Sequence, residues 1–410
     1  MTGDTGWATF AGRVATDAVE CIDVRAEPDR LATGTWFVVA DFEGPARAWR
    51  FAAVRDAAAP PASTPLASKP PASAPDAAVP DAAAPDVRAT APAPARTWHG
   101  PASDTWTSSM DQATYEAAVA RVREHVREGD VYQANICRVL SAPLPAQPNS
   151  LRDDGRAAGG QAPPSAHEPN TREPDARALA ARLAAGNPAP HAAAVHVPAT
   201  TGLDPVWVVS ASPELYLSVR RGPDGTVVES GPIKGTARTP DGLTDKDRAE
   251  NVMITDLVRN DLQTVCRPGT VTVTSLLAVE EHPGLVHLVS RVRGTLRDDV
   301  VRSGELWRRL LDGTFPPGSV SGAPKSSALR IIGELEPVPR GPYCGAVGWV
   351  EDGEASLAVG IRTFWWADGV LRFGTGAGIT WGSDPTAEWH ETELKAERLV
   401  GLASGEPAVG

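Results

Sequence analysis

Apolar residues alternate and cluster first at Trp36 to Phe42, in TWFVVADFEG, where aromatic and β-branched side chains predict a strand. Periodicity stops between about 56 and 97, where the chain becomes AAAPPASTPLASKPPASAPDAAVPDAAAPD. Proline removes backbone donors and favours polyproline II, so this stretch reads as a flexible tether or a disordered insertion. A helical period begins near Asp111, with Tyr115, Val119, Val122 and Val126 at steps of three and four, and Gly129-Asp130 end it. VYQANICRVL then reads as a buried strand. A second polar, Pro- and Gly-rich stretch at about 143–174 is expected to be a surface loop or insertion, because so long a structureless segment cannot be buried.

From about 176 onward the pattern predicts a compact fold. Strands are expected at 206–219, 226–230, 270–280, 287–296, 343–350, 355–366 and 370–378, and helices at about 245–263, 303–312, 323–335 and 385–402. The last two helices open with Ala323-Pro324 and Asp384-Pro385, and proline suits a first turn whose N–H has no partner anyway. Many strands broken by isolated helices predict an α+β fold, with helices laid on large antiparallel sheets. The expected organisation is a short β segment at 1–55, a linker at 56–103, one catalytic domain at 104–402 carrying the insertion, and a tail at 403–410.

Composition narrows the function. Of 410 residues, 42% are hydrophobic and 22% charged, a globular balance. The formal net charge of -12 disfavours nucleic-acid or anionic-membrane partners, which need a basic surface. Cys21, Cys137, Cys266 and Cys344 are widely spaced, with no CxxC pair, so free thiols in a reducing cytoplasm are expected. The N-terminus lacks a basic region followed by an apolar core, and no run of about 18 apolar residues occurs, so neither a signal peptide nor a membrane span is expected.

Four segments hold candidate chemistry. In SASPELYL, Glu214 stands at a strand mouth, where a carboxylate is ordinarily solvated. In ESGPIKGTART, Lys234 sits in a Pro- and Gly-framed turn; it is either a surface charge or, with a neutral amine, a nucleophile. Glu250 lies near the start of one expected helix, while Glu388, Glu391 and Lys395 share a face of another. That is an exposed ion-pair ladder or a set of hard ligands suited to magnesium. The glycine run in LRFGTGAGITWGSDP lets backbone N–H groups approach an anion, but it lacks GxGxxG spacing, and no P-loop or Ser-His-Asp pattern occurs.

Taken in order, GDVYQANICR, ASPELYL, GPIKGTART, AENVMITDLVRNDL, HLVSRVRGTL, FPPGSVSGAPKSSALRIIGELEP, RGPYCGAVGWV, LAVGIRTF and GTGAGITWGSDPTAEWHETELKA resemble the chorismate-utilising enzymes over residues 111–402. The resemblance implies an α/β sandwich of two large, mostly antiparallel facing sheets with helices outside. It implies that Glu250 and Glu391 hold Mg2+, with Glu388 close by. Arg362 and Tyr343 would grip the enolpyruvyl carboxylate, Gly376, Ala377 and Gly378 would supply backbone donors, and Gly235 and Thr236 would line the same cleft. Lys325 and Lys395 are further cations of shared motifs, and His287 would stand beside the ring.

Glu214 matches the family's general acid for the leaving hydroxyl. Gln133 stands where isochorismate and salicylate synthases carry a lysine base, which counts against water as the nucleophile. Lys234, in PIKGT, resembles the aminodeoxychorismate synthase branch, whereas anthranilate synthases typically read PIAGT. The expected activity is therefore amination of chorismate to 4-amino-4-deoxychorismate, for p-aminobenzoate and folate or a related pathway, with ammonia from a separate glutamine amidotransferase. The alternatives are an anthranilate synthase large subunit and a catalytically weak chorismate-binding regulatory subunit. The N-terminal segment lacks an LLES-type tryptophan-pocket sequence, and Trp381 and Pro317 depart from the usual family residues.

Overall fold

The computed structural model describes residues 4–56, 97–148, 171–282 and 285–405. The expected tether falls mostly on 57–96 and the expected insertion mostly on 149–170, both outside the described residues. No helix among the described residues is long and apolar enough to cross a membrane.

Among the described residues every strand pairing is antiparallel. One continuous path runs from Gln133–Pro143 through Val370–Ile379, Thr363–Ala367, Val206–Ser212, His191–Val197, Trp7–Phe10, Arg13–Asp23, Ala46–Asp56 and Thr35–Ala40. It continues through Ala346–Glu351, Glu354–Val359, Leu215–Gly222, Gly225–Gly231 and Leu285–Thr295 to Thr272–His282. The path folds back on itself, so two sheets face each other. Between them Phe10, Val195 and Val208 pack in one cluster with Phe37, Phe51 and Val347. The rings of Phe37 and Phe51 meet edge to face at 5.5 Å.

Thr35–Ala40 shows how the sequence builds this architecture. Its six residues are all buried. Because side chains alternate across a strand, Phe37 and Val39 enter the inter-sheet core, while Trp36 and Val38 join the cluster under the helices. The N-terminal segment thus supplies central strands.

The helices begin at readable caps. Asp111 accepts the Thr114 N–H at 2.8 Å to open Gln112–Glu128, and Gly129, at φ 84°, closes it. Thr244 and Asp247 form a capping box at the head of Asp245–Gln263. Asp384 caps Pro385–Ala403, accepting the Ala387 N–H at 2.9 Å. Helix Ala176–Gly186 and strands Arg13–Asp23, Ala46–Asp56 and His191–Val197 add to the expected elements. Two expected strands are each split in the structure, and both splits lie at the candidate site.

Candidate active site

Pro213 and Glu214 separate strand Val206–Ser212 from Leu215–Gly222, and Gly360 to Arg362 separate Glu354–Val359 from Thr363–Ala367. The two breaks lie side by side: Val359 N–H donates to the Glu214 carbonyl, and Ala211 N–H to the Arg362 carbonyl, each at 3.0 Å. Arg362 adopts φ 53°, the left-handed region that disfavours side chains. Its guanidinium is half-buried, burial lowers its pKa, and among the described residues it has no hydrogen bond or ion pair. A cation withdrawn from water without a partner suits an anionic ligand.

Glu214 is 3% exposed. Burial pushes its carboxyl up to about 7, against a hydrogen bond from Ser319, the charge of Lys234 and a hydrogen bond from the Ile233 N–H. Lys234 lies on strand Ile233–Ala237, opposite Leu288. Burial lowers its pKa, Glu250 opposes that most strongly, and Lys395 adds to it. The next residue, Gly235, takes φ 81°, and a Cβ there would stand 2.8 Å from Cβ of Asp247. Glycine therefore lets this strand press against helix Asp245–Gln263, so Gly235 faces the helix. Thr236 pairs with His287, which is 1% exposed on the adjacent strand Leu285–Thr295.

Strand Val370–Ile379 forms the facing wall. Thr363–Ala367 pairs with it only from Val370 to Phe373, so along that edge Gly376, Ala377 and Gly378 have no strand partner. Gln133 is wholly buried, and neither its Oε1 nor its Nε2 has a hydrogen-bond partner. A Cβ on Gly378 would stand 2.6 Å from Gln133 Nε2 and 3.0 Å from Lys234 Nζ. Gly378→Ala is therefore expected to displace both side chains and lower kcat by about 100-fold, with the melting temperature little changed. An unchanged kcat would show that the glycine serves packing only. Tyr343, 5% exposed, lies over Gly374, with its hydroxyl 3.9 Å from Cys137 Sγ.

The acidic residues come from helices Asp245–Gln263 and Pro385–Ala403. Lys246 Nζ lies 3.1 Å from Glu388 Oε1 and 3.8 Å from Glu250 Oε1, so these two carboxylates converge on one cation. Glu391 pairs with Lys395 at 2.6 Å, and Lys395 also donates to the Gly376 carbonyl at 3.1 Å. Burial pushes the Glu391 carboxyl up, but Lys395, Lys246 and Lys234 together outweigh it and the net shift is downward. Among the described residues, the group of three His, Cys, Asp or Glu ligand atoms gathered within 4.8 Å is His125, Glu128 and Asp130, not the three glutamates. Two carboxylates converging on one cation still supply the hard oxygen donors that suit Mg2+.

Lys234 thus stands by Gln133 and Gly378, within electrostatic reach of Glu214, Glu250, Glu391 and Lys395. Lys325 is otherwise engaged: its ammonium donates to Asp261 at 2.7 Å and to the Thr314 carbonyl at 2.9 Å. Motif reading named it as a further cation of a shared motif; here its charge lies against the Asp261 carboxylate. Ser319 and Lys246 were not singled out from sequence, although Ser319 lies within FPPGSVSGAPK and Lys246 stands one turn before Glu250.

Comparison with known proteins places the chain in a family. The pattern of the chorismate binding enzymes matches residues 62–166 and 161–401. Anthranilate synthase component 1 of Streptomyces coelicolor is 37% identical over 313 residues, 72% of this chain and 52% of that protein. The same-named protein of Saccharolobus solfataricus is 34% identical over 304 residues, 71% of this chain and 62% of that protein. The chain thus spans between about half and three-fifths of the length of these relatives. Among solved structures, the menaquinone-specific isochorismate synthase MenF of Escherichia coli superposes with TM-score 0.65 at 17% identity, covering 97% of this chain and 88% of that one. Anthranilate synthase component I of Streptococcus pneumoniae superposes with TM-score 0.63 at 20% identity, covering 97% and 91%. These two likenesses carry the fold, two facing antiparallel sheets with helices outside; the sequence match carries the family. This chain belongs to the chorismate binding enzymes.

Proposed function

We propose that the protein aminates chorismate to 4-amino-4-deoxychorismate. The observation that carries this reading is Lys234, a half-buried lysine of lowered pKa beside Glu214 and Gln133. A nucleophilic amine must be neutral, and burial favours that form. By family resemblance, Lys234 Nζ attacks ring C2, the double bonds shift, and the C4 hydroxyl leaves as water with the proton of Glu214. Ammonia then adds at C4, the double bonds return, and the Lys234 amine is expelled. The net change is chorismate plus ammonia to aminodeoxychorismate plus water, with Glu214 regaining its proton from the incoming nitrogen.

In this reading Arg362 and Tyr343 hold the enolpyruvyl carboxylate, while Gly376, Ala377 and Gly378 offer backbone donors. His287 and Thr236 stand at the ring side of the cleft. Glu250 and Glu388, with Glu391 nearby, would hold Mg2+, which supplies charge neutralisation for the ring carboxylate. The ammonium of Lys246 occupies the point where those carboxylates converge, so metal and lysine exchange places there. Glu250→Gln and Glu388→Gln are each expected to weaken Mg2+ binding by more than about tenfold in calorimetric titration. Unchanged affinity in both variants would remove the pair from the metal site.

A second reading is conversion of chorismate to anthranilate. The relatives' names support it better than they support aminodeoxychorismate formation. Both readings use ammonia, which a separate glutamine amidotransferase would deliver. The test is incubation of the protein with chorismate, Mg2+ and ammonium salt at alkaline pH, with products separated and identified by mass. Aminodeoxychorismate supports the first reading; anthranilate with pyruvate establishes the second.

A further inference from the structure

Arg340 lies outside the cleft and is 0% exposed, yet its guanidinium is engaged on all sides. Nη1 donates to the Val320 carbonyl at 2.9 Å, and Nη2 to the Asn135 carbonyl at 2.7 Å. Nε and Nη2 grip Glu336 at 2.8 and 2.5 Å. Glu336 in turn accepts the Cys137 backbone N–H at 2.9 Å. One side chain thereby ties two backbone segments that meet the site from different directions.

The first segment contains Ser319, next to Val320; Ser319 and Glu214 line one small cavity, where the serine hydroxyl favours the Glu214 carboxylate. The second is strand Gln133–Pro143, whose first residue stands beside Lys234. The two also touch directly: Asn135 N–H donates to the Ser321 carbonyl at 2.8 Å, and Ala323 pairs with Gln133. The planar fork makes four bonds from three nitrogens, two to the carboxylate and one to each carbonyl, whereas a lysine ammonium has three donors on a single nitrogen and cannot reproduce that spread.

We propose that Arg340 is a positioning residue for proton donation, clamping the Ser319 segment onto Glu214 and fixing it relative to the strand that carries Gln133. This rests on the reading of Glu214 as the acid. The charged groups facing Glu214 are Lys234 from the neighbouring strand and, in the cavity that Glu214 lines, Asp261. Lys325, from a separate helix, balances Asp261. All of them remain in the variants tested, so the contact that changes is the one from Ser319.

The experiment is the pH profile of kcat for the full chain with Mg2+, at constant free ammonia, for wild type, Arg340→Lys, Ser319→Ala and the double variant. Losing the Ser319 hydrogen bond disfavours the Glu214 carboxylate, so the protonated acid persists to higher pH. Both single variants are expected to move the alkaline limb upward by about one pH unit, with the double variant moving no further than Ser319→Ala. A purely structural Arg340 would lower kcat equally at every pH and leave the limb in place; that result, or shifts that add, overturns the proposal. Glu336→Gln, which weakens the same clamp, replaces Arg340→Lys if that variant does not fold, with the same expectation. Glu214→Gln, run in parallel, separates the two ideas: an alkaline limb that survives in that variant means Glu214 is not the acid.

Discussion

Lys234→Ala is expected to lower aminodeoxychorismate formation by at least about 10³-fold while chorismate still binds, because it removes the proposed nucleophile. The amine lies within electrostatic reach of Glu250, Glu214 and Glu391, whose charges favour its protonated form, and of Lys395, whose charge does not. Burial acts more strongly than any of these, so the net shift is toward the neutral, nucleophilic amine. Lys234→Arg is expected to fail equally, since it keeps a charge but has no amine to deliver. Denaturing mass spectrometry of wild type mixed with chorismate and no ammonia should show a protein adduct of chorismate less one water, absent in both variants. If Lys234→Ala instead retains its activity within about tenfold and the product is anthranilate, the lysine is a bystander and the second reading stands.

The proposed site residues were legible to different degrees. Caps at Asp111, Thr244 and Asp384 announce three helices, and Glu250 and Glu388 follow from where those helices begin. The family motifs point to Glu214 and Arg362, but local pattern hides why they matter. Residues 206–219 and 355–366 each read as one strand, because apolar and β-branched residues continue through Pro213-Glu214 and Gly360-Arg362. The structure breaks both strands at the same level, and the break is what turns Glu214 inward and sets Arg362 at φ 53°. A paired break of this kind is a property of neighbours distant in sequence, so single-strand periodicity cannot show it. Helix Ala176–Gly186 was missed for a related reason: its alanines carry little amphipathic signal, and it is held by Leu179 and Leu183 packing with Leu399 and Leu402 of a helix far along the chain.

The inward turn of Glu214 leads to the second large effect. Glu214→Gln is expected to lower kcat by about 10²- to 10⁴-fold, the usual worth of a positioned proton donor. KM for chorismate should change little, since an amide keeps the shape and the contact with Ser319. The acid is protonated below its pKa of about 7, so wild-type kcat at constant free ammonia should fall as pH rises through that value. Stability carries the same signature. The folded-state value lies above the ordinary 4.5, so the stabilising contribution of the neutral carboxyl is complete below the unfolded value and is lost as pH rises through about 7. A shift of that size corresponds to about 3 kcal/mol, a figure in which the favourable Lys234 charge is already counted. Glu214→Gln should therefore unfold at higher denaturant than wild type at about pH 8 and at nearly the same denaturant at about pH 5. A variant that is slower yet more stable at alkaline pH is what a carboxyl buried for proton transfer requires. A variant that is slower and less stable at both pH values would mark Glu214 as a structural carboxylate, with the proton coming from elsewhere.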